Sequence, residues 1–344
     1  MIRRIIFFVI TLAFLVALFF AYQKYQVFFK ANVPNELDNK FIEIPTGSSF
    51  EEVIQLLTKN GFLIDSTAFR ETAQWMNFQK PKMRAGRFEI QPNWNNQDLI
   101  RHLRAGKQAT VKVVLTNERL PENVAAKVAR FIEEDSLGFI NIFNNRNYLE
   151  ELGYTSETFM SIFIPNTYEF FWNTNAKEFM ERMVKEHQKF WKKDNRLEKA
   201  KARNMTPKEV YTLASIVGKE TNKNQEKKRM AGVYLNRLEK GIPLQADPTC
   251  VFATRDFNTR RVTNYHTQFD SPYNTYLYRG LPPGPIAMSS ISSIDAVLNA
   301  EKHDYIYFCA KGDGTGFHSF AKTLKGHNQN AAIYKRNLRA RGKR

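Results

Sequence analysis

Cysteine is nearly absent: the 344-residue chain holds two, Cys250 and Cys309. Two cysteines cannot build a disulfide framework, and neither has the paired spacing of a metal site. Cys309 lies in the apolar strand pattern Tyr305–Ala310, so two separate buried thiols are expected. A bridge between them stays open for a domain outside the cytoplasm. The sequence also lacks a metal-ligand cluster, a glycine-rich phosphate loop and a nucleophilic triad, so no cofactor or metal is implied. It has no zinc-finger or RNP signature and no basic helix placed for groove entry, which argues against a nucleic-acid partner. Acidic residues are outnumbered, 34 against 51 basic, for a net charge of +17. Such an excess suits an anionic partner: nucleic acid, a membrane surface or an acidic polymer. Part of it sits in the run Lys335–Arg344, read as a solvated, frayed tail. Repeats and low-complexity tracts are missing too. What is there is a 43% hydrophobic chain with 28 Phe and 14 Tyr, enough for a sizeable core and two domains.

Charge is absent from one long stretch. After Met1-Ile-Arg3-Arg4, the eighteen residues Ile5–Tyr22 carry none, near the minimum for crossing a bilayer core. No Ala-x-Ala-like site precedes Gln23-Lys24, so residues 1–23 read as an uncleaved transmembrane signal anchor rather than a cleaved signal peptide. Arg3 and Arg4 face Lys24 and Lys30 across it. The α-amino group tips the positive-inside count toward an inner N-terminus, with the globular part outside.

Residues 24–40 read as a linker. A small unit over 41–109 follows: strand Phe41–Ile44, a helix over 50–60 capped by Ser49, a second helix near Ala68–Met76, and a strand starting at Gly86. A further helix over 97–105 is capped by Asn96. This strand–helix–helix–strand order resembles the LysM-like module of cell-wall proteins, which implies either a spacer or a glycan-binding unit. Residues 110–340 read as a larger α+β domain. It includes a strand over 110–116, helices over 122–134 and 177–191, and a final helix over 325–339. The fold class is therefore α+β: an N-terminal transmembrane helix, a small LysM-like βααβ unit and a larger α+β catalytic domain.

The chemistry is expected in Leu213-Ala-Ser-Ile-Val-Gly-Lys-Glu-Thr221, within an active-site part spanning 206–330. Thr206-Pro207-Lys208-Glu209 is a capping box with proline at the first helical position, which predicts a helix over 207–221. At 100° per residue, Val210, Leu213, Ala214 and Val217 share one apolar face. Glu220 falls within that arc while Lys219 points away. A carboxyl so placed is partly desolvated, its charged form is disfavoured and its pKa rises, as a proton-donating acid near neutral pH requires. The same position also suits a rim glutamate that reaches water or pairs with Lys223. A second helix over 225–240 carries Met230, Val233, Tyr234 and Leu238 on one side. Long irregular loops follow, around Leu244–Thr249, Ser271–Tyr276 and Gly280–Ile286. They are rich in Asn, Tyr, Pro and Gly, a composition for functional rather than disordered loops.

Taken in order, the apolar N-terminus, Ala214-Ser-Ile-Val-Gly-Lys-Glu-Thr221, Asn236-Arg-Leu-Glu-Lys-Gly-Ile-Pro-Leu-Gln-Ala-Asp-Pro-Thr249, Ser271-Pro-Tyr-Asn-Thr-Tyr276, Gly280-Leu-Pro-Pro-Gly-Pro-Ile286 and Phe317-His-Ser-Phe320 resemble the YceG-like endolytic murein transglycosylases (MltG). The resemblance covers residues 40–340. It implies a lyase in the bacterial cytoplasmic membrane, with its catalytic domain outside the cytoplasm, that acts on nascent peptidoglycan beside the wall-synthesis machinery. Such enzymes cut the MurNAc-β-1,4-GlcNAc bond, the muramic C6 hydroxyl attacking its own C1 to leave a 1,6-anhydro end. Glu220 aligns with the catalytic glutamate, the last acidic residue of the family's E-K-E pattern. Two positions depart: the first Glu of that pattern is Gly218, and the family's Pro-Asp-Thr-Tyr reads Pro165-Asn166-Thr167-Tyr168.

For substrate contacts the reading selects Gln245 and Asp247 for sugar hydroxyls or for orienting Glu220, and Asn274 for an N-acetyl or hydroxyl group. Tyr273 and Tyr276 are taken as faces for sugar rings, and His318 as a donor or as an orienter of the acid. Each has a structural alternative: an Asx turn at Asp247, core packing for the tyrosines, a satisfied structural histidine at 318. Two other functions stay open. One is a lysozyme-type hydrolase with Asp247 as second carboxylate; the other is a non-catalytic wall-binding scaffold.

Overall fold

The computed structural model describes residues 2–342; Met1 and the tail residues Lys343 and Arg344 lie outside the described residues. The chain is a mixed α+β protein. Its backbone divides into two units, one holding the chain through Lys112 with residues 131–134 and 169–174, the other holding the remainder.

The first unit begins with α1, Ile2–Phe29, whose apolar part is long enough to cross a membrane, with a mean hydropathy of 2.8 over an unburied eighteen-residue window. No helix breaker follows Tyr22, so α1 continues six residues into the expected linker and its end is built into the fold. Phe28 is buried edge-on against Trp75, and the Val27 carbonyl accepts from Asn96 Nδ2 at 2.8 Å. Asn32 then ties residues 30–33 down, accepting from the Asp65 amide at 2.7 Å and donating to Asn96 Oδ1 at 2.6 Å.

Strands β1 (Phe41–Ile44) and β2 (Gly86–Glu89) pair antiparallel with Ile42 opposite Phe88, and helices α2 (Phe50–Lys59) and α3 (Ser66–Trp75) lie between them in sequence. Ser49 and Glu52 cap α2 reciprocally. Asp65 caps α3 two residues earlier than expected, accepting from the amides of Thr67 and Ala68. Helix α4 (Asn96–Ala105) is capped by Asn95, not Asn96. Either asparagine suits an N-cap by residue type. The buried bonds of Asn96 to Asn32 and Val27 place it inside the first turn instead. Ile42, Ile44, Leu57, Phe69, Phe88 and Leu99 close the core.

Strand β3 (Thr110–Leu115) pairs with β4 (Asn166–Phe171) as a two-stranded sheet. Between them come α5 (Pro121–Val128), α6 (Ser136–Phe143) and α7 (Arg146–Glu151); α5 stops six residues short of the expected helix end. After α8 (Ala176–Lys192) and α9 (Arg196–Lys201) comes α10, Pro207–Glu220, with the Thr206/Glu209 capping box in place. Helix α10 is buried on every side from Val210 to Val217, not only along the expected apolar face. Helices α11 (Asn224–Glu239) and α14 (Ile291–Leu298) pack against it, with α12 (Asp247–Thr254) and the short α13 (Asn264–Thr267) between them in sequence. Helix α12 opens inside what the sequence presents as a loop.

The polar residues of α10 brace the loop before α14. Tyr211 Oη receives the Ser289 amide at 3.0 Å and donates to the Phe163 carbonyl at 2.6 Å, while Ser215 Oγ receives the Ile286 amide at 3.0 Å. The chain ends with the antiparallel pair β5 (Tyr307–Ala310) and β6 (His318–Ala321), on which α15 (Leu324–Ala340) lies. The basic run expected as a frayed tail is thus helical through Ala340. Cys250 and Cys309 are both free thiols; Cys250 is buried, but Cys309 is only half-buried.

Gly284 makes the proline-rich loop depend on a missing side chain, because a Cβ there would collide with the backbone carbonyl of Glu157. Gly284→Ala is expected to cost on the order of 1–3 kcal/mol, as overpacking does. Denaturant melts of wild type and variant, compared at equal slope, check it.

Candidate active site

Glu220 occupies the last turn of α10, the negative end of the helix dipole, where a carboxylate is disfavoured. Burial pushes its pKa up to about 7, the charge of Asp247 adds to the rise, and a hydrogen bond from Tyr234 opposes it. That bond, Tyr234 Oη to Glu220 Oε1, spans 2.7 Å from α11. Burial and the neighbouring acid hold the Tyr234 phenol well above its ordinary pKa, so it remains a donor throughout the neutral range. Tyr234 is 1% exposed. The sequence shows it only as one of several residues on the apolar side of a helix.

Two cavities meet at this acid. One, of about 920 Å³, runs past Arg119, Lys219, Phe252, Phe257 and Arg261. The other, of about 480 Å³, is lined by Arg237, Gln245, Tyr276, Tyr307 and His318. Glu220 and Asp247 line both, so a chain-like ligand can cross the acid with room on either side.

The structure gathers part of the expected set here. Asp247 opens α12 with its carboxylate exposed and accepts a short hydrogen bond from the Tyr276 hydroxyl. Tyr276 is half-buried, with its phenol pKa raised by burial and by that carboxylate. Gln245 is exposed at a left-handed backbone position, φ 51°, and its Oε1 accepts from Arg237 at 3.3 Å. Arg237 pins this loop from behind, donating to the carbonyls of Leu244 at 2.9 Å and Ile306 at 2.7 Å. His318 lines the smaller cavity with Nδ1 3.0 Å from Glu226 Oε2, and its main-chain N–H donates to the same carboxylate at 2.7 Å. Glu226 is 6% exposed. This buried acid sets the histidine's orientation and was not selected from the sequence.

Two expected contacts lie elsewhere. Asn274 is 0% exposed, and its amide donates to the carbonyls of His266, Thr267 and Phe269 while its Oδ1 accepts from the Tyr276 amide. It organises the loop instead of facing the groove. Tyr273 packs its ring 4.8 Å from that of Phe252 and is absent from the lining of either cavity. An asparagine in Ser-Pro-Tyr-Asn-Thr-Tyr reads alike for a turn brace and a ligand contact, and only burial separates them.

Gly218, where the resemblance leads one to expect a glutamate, lies under α14: a Cβ would stand 3.0 Å from Ser293 Oγ. Close helix packing thus accounts for the glycine.

Comparison with known proteins bears on this geometry. An endolytic murein transglycosylase of Bacillus subtilis (strain 168) is 28% identical over 318 residues, an alignment covering 86% of each chain. A second protein of that name, from Streptococcus pneumoniae serotype 2, is 26% identical and covers 90% of this chain; the chain spans 62% of that longer relative. The crystal structure of a yceG-like protein from Listeria monocytogenes is 27% identical with a TM-score of 0.56, covering 84% of this chain and 97% of that one. The model of the YceG-like family matches residues 42–333, and the chain belongs to that family.

Proposed function

We propose that this chain is a membrane-anchored endolytic peptidoglycan lytic transglycosylase that cleaves the MurNAc-β-1,4-GlcNAc bond of nascent strands. The observation that carries the reading is Glu220: a carboxyl protonated up to about pH 7, braced by Tyr234, where two cavities join. The names of the relatives support the activity. Helix α1 supports a single membrane anchor. The division into anchor, LysM-like unit over 41–109 and catalytic domain over 110–340 belongs to this proposal, as does company with wall-synthesis proteins.

The reaction needs one acid. Protonated Glu220 gives its proton to the glycosidic oxygen as the C1–O4 bond breaks. The muramic C6 oxygen closes on C1, and the Glu220 carboxylate takes the C6 hydroxyl proton, returning the acid to its starting form. The nucleophile is tethered in the substrate, so no positioned water is required. Tyr234 stabilises the carboxylate formed midway, since its hydrogen bond strengthens to a charged acceptor. Gln245, Asp247, Tyr276 and His318 line the groove as contacts for sugar hydroxyls and rings, and Asn274 and Tyr273 hold the loop that carries Tyr276.

Asp247 lines both cavities with Glu220, the one observation that favours a hydrolase with two carboxylates. Mass analysis of the product ends decides: anhydro-muramic termini are expected, and reducing termini would assign hydrolysis. Glu220→Gln is expected to lose about 10²–10⁴-fold in cleavage without loss of fold. Cleavage near the wild-type rate would leave the scaffold reading.

The pH profile carries its own signature. Activity needs protonated Glu220, so kcat/KM is expected to fall as pH rises through about 7. Tyr234→Phe removes a bond to the charged form, so the acid's pKa rises and the alkaline limb moves to higher pH. Asp247→Asn removes a neighbouring negative charge and moves the limb to lower pH. Shifts in the same direction in both variants would refute the assignment.

Stability tests the same group without substrate. Because the folded pKa of about 7 lies above the ordinary 4.5, ionising Glu220 weakens the fold. The penalty is absent below about pH 4.5, grows up to about 7 and is complete beyond it. Glu220→Gln is therefore expected to raise Tm at pH 8 and to leave it near wild type at pH 4; thermal melts at the two pH values check this.

A further inference from the structure

Helix α1 is longer than a bilayer core needs, and its far end is not loose. A core of about 30 Å takes roughly twenty helical residues, so a span beginning at Ile5 ends near Lys24. Phe28 stands four residues on, about 6 Å further along the axis, at the depth of the lipid headgroups. There the helix is fixed to the first unit. Phe28 is buried edge-on against Trp75. The Val27 carbonyl accepts from Asn96 Nδ2 at 2.8 Å and from Thr72 Oγ1 at 3.3 Å. A joint so bonded carries Trp75, the last residue of α3, to the depth of Phe28. What α3 and α1 present at that depth is apolar and open. Trp75 is 75% exposed. The Tyr25 and Phe29 rings, stacked 5.2 Å apart, line with it a groove of about 790 Å³ between the two helices. Lys24 and Glu71 pair across the same groove, an exposed ion pair that contributes little in water and more at a low-dielectric boundary. Tryptophan and tyrosine concentrate at membrane boundaries because one end of each ring is apolar and the other is wet. The groove opens beside the helix at the height of the surrounding lipids, so lipid is the medium it meets.

We propose that this groove takes a bilayer lipid and so seats the first unit on the leaflet from which α1 emerges. The lipid chain lies along Ala21 and Tyr25, and its ester and headgroup oxygens meet the donors of Trp75, Gln74 and Lys24. The inference rests on the reading of α1 as a membrane anchor. It makes the first unit a collar held at the membrane surface, where a flexible linker would have left it free to swing.

The test uses the full chain reconstituted in vesicles of phosphatidylcholine and phosphatidylglycerol. The lipid is brominated either near the carbonyl end or near the methyl end of its chains. Trp75→Phe keeps an aromatic ring against Phe28, so the tryptophan emission lost between wild type and variant reports Trp75. Trp75→Tyr gives an independent difference, and thermal melts show that the fold is kept. Bromine near the carbonyl end is expected to quench the Trp75 emission about twofold, and bromine near the methyl end much less, as an interfacial ring requires. Equal or stronger quenching from the methyl end places the ring in the hydrocarbon core and overturns the inference. Trp75 emission that neither lipid quenches overturns it too, and the same samples say what faces the ring instead. Quenching by iodide assigns water, a shift on adding soluble glycan strands assigns sugar, and shielding that vanishes as the protein is diluted in lipid assigns a second copy. Wild type that fails to float with the vesicles after an alkaline wash removes the anchor reading itself. Wild type that floats with Trp75 unquenched removes the lipid seat alone.

Discussion

The desolvation of one carboxyl governs this molecule. Glu220 stands at the end of a helix buried from Val210 to Val217, so its surroundings are set by the densest part of the second unit rather than by a mobile loop. Burial and the helix end push the acid toward its neutral form, and Asp247 pushes further. Tyr234 pulls the other way with a single hydrogen bond. The resulting pKa of about 7 is a balance in which no contributor is surplus. In the proposed reaction, an acid without the tyrosine would hold its proton too firmly to recycle, and one without the burial would have none to give.

That balance needs a rigid frame, which the polar residues of the buried helix provide. Tyr211 and Ser215 spend their hydroxyls on the Ile286–Ser289 loop, so the loops bordering the groove are anchored to the element that carries the acid. Arg237 does the same for the Leu244–Gln245 segment and for the start of β5. Buried polar groups of this kind are costly unless satisfied and specify one arrangement when they are.

Much of this is legible in the residues themselves. The Thr-Pro-Lys-Glu cap, the apolar arc and the position of Glu220 within it follow from helical geometry, and the α+β order of elements follows from periodicity and turn chemistry. Contacts made across the fold are what escapes. Tyr234 lies fourteen positions from Glu220, beyond a chain reversal, and its neighbours on the helix are apolar, so nothing local marks its hydroxyl. Glu226 and His318 meet from positions 92 residues apart in the chain. Asn95 and Asn96 are chemically interchangeable as caps, and the bonds of Asn96 to Asn32 and Val27 decide between them. Helix α1 runs on to Phe29 because packing against Trp75, not composition, sets where it stops.

The acid and the phenol that tempers it come from consecutive helices, α10 and α11, whereas most of the groove around them is lined from elsewhere in the chain, by Arg119 before these helices and by Asp247, Phe252, Arg261, Tyr276, Tyr307 and His318 after them. The pair proposed to handle the proton is thus local, complete within about thirty residues of chain, while most of the groove wall is assembled from distant segments. Change in those segments can redraw the groove while leaving the acid and its phenol in place.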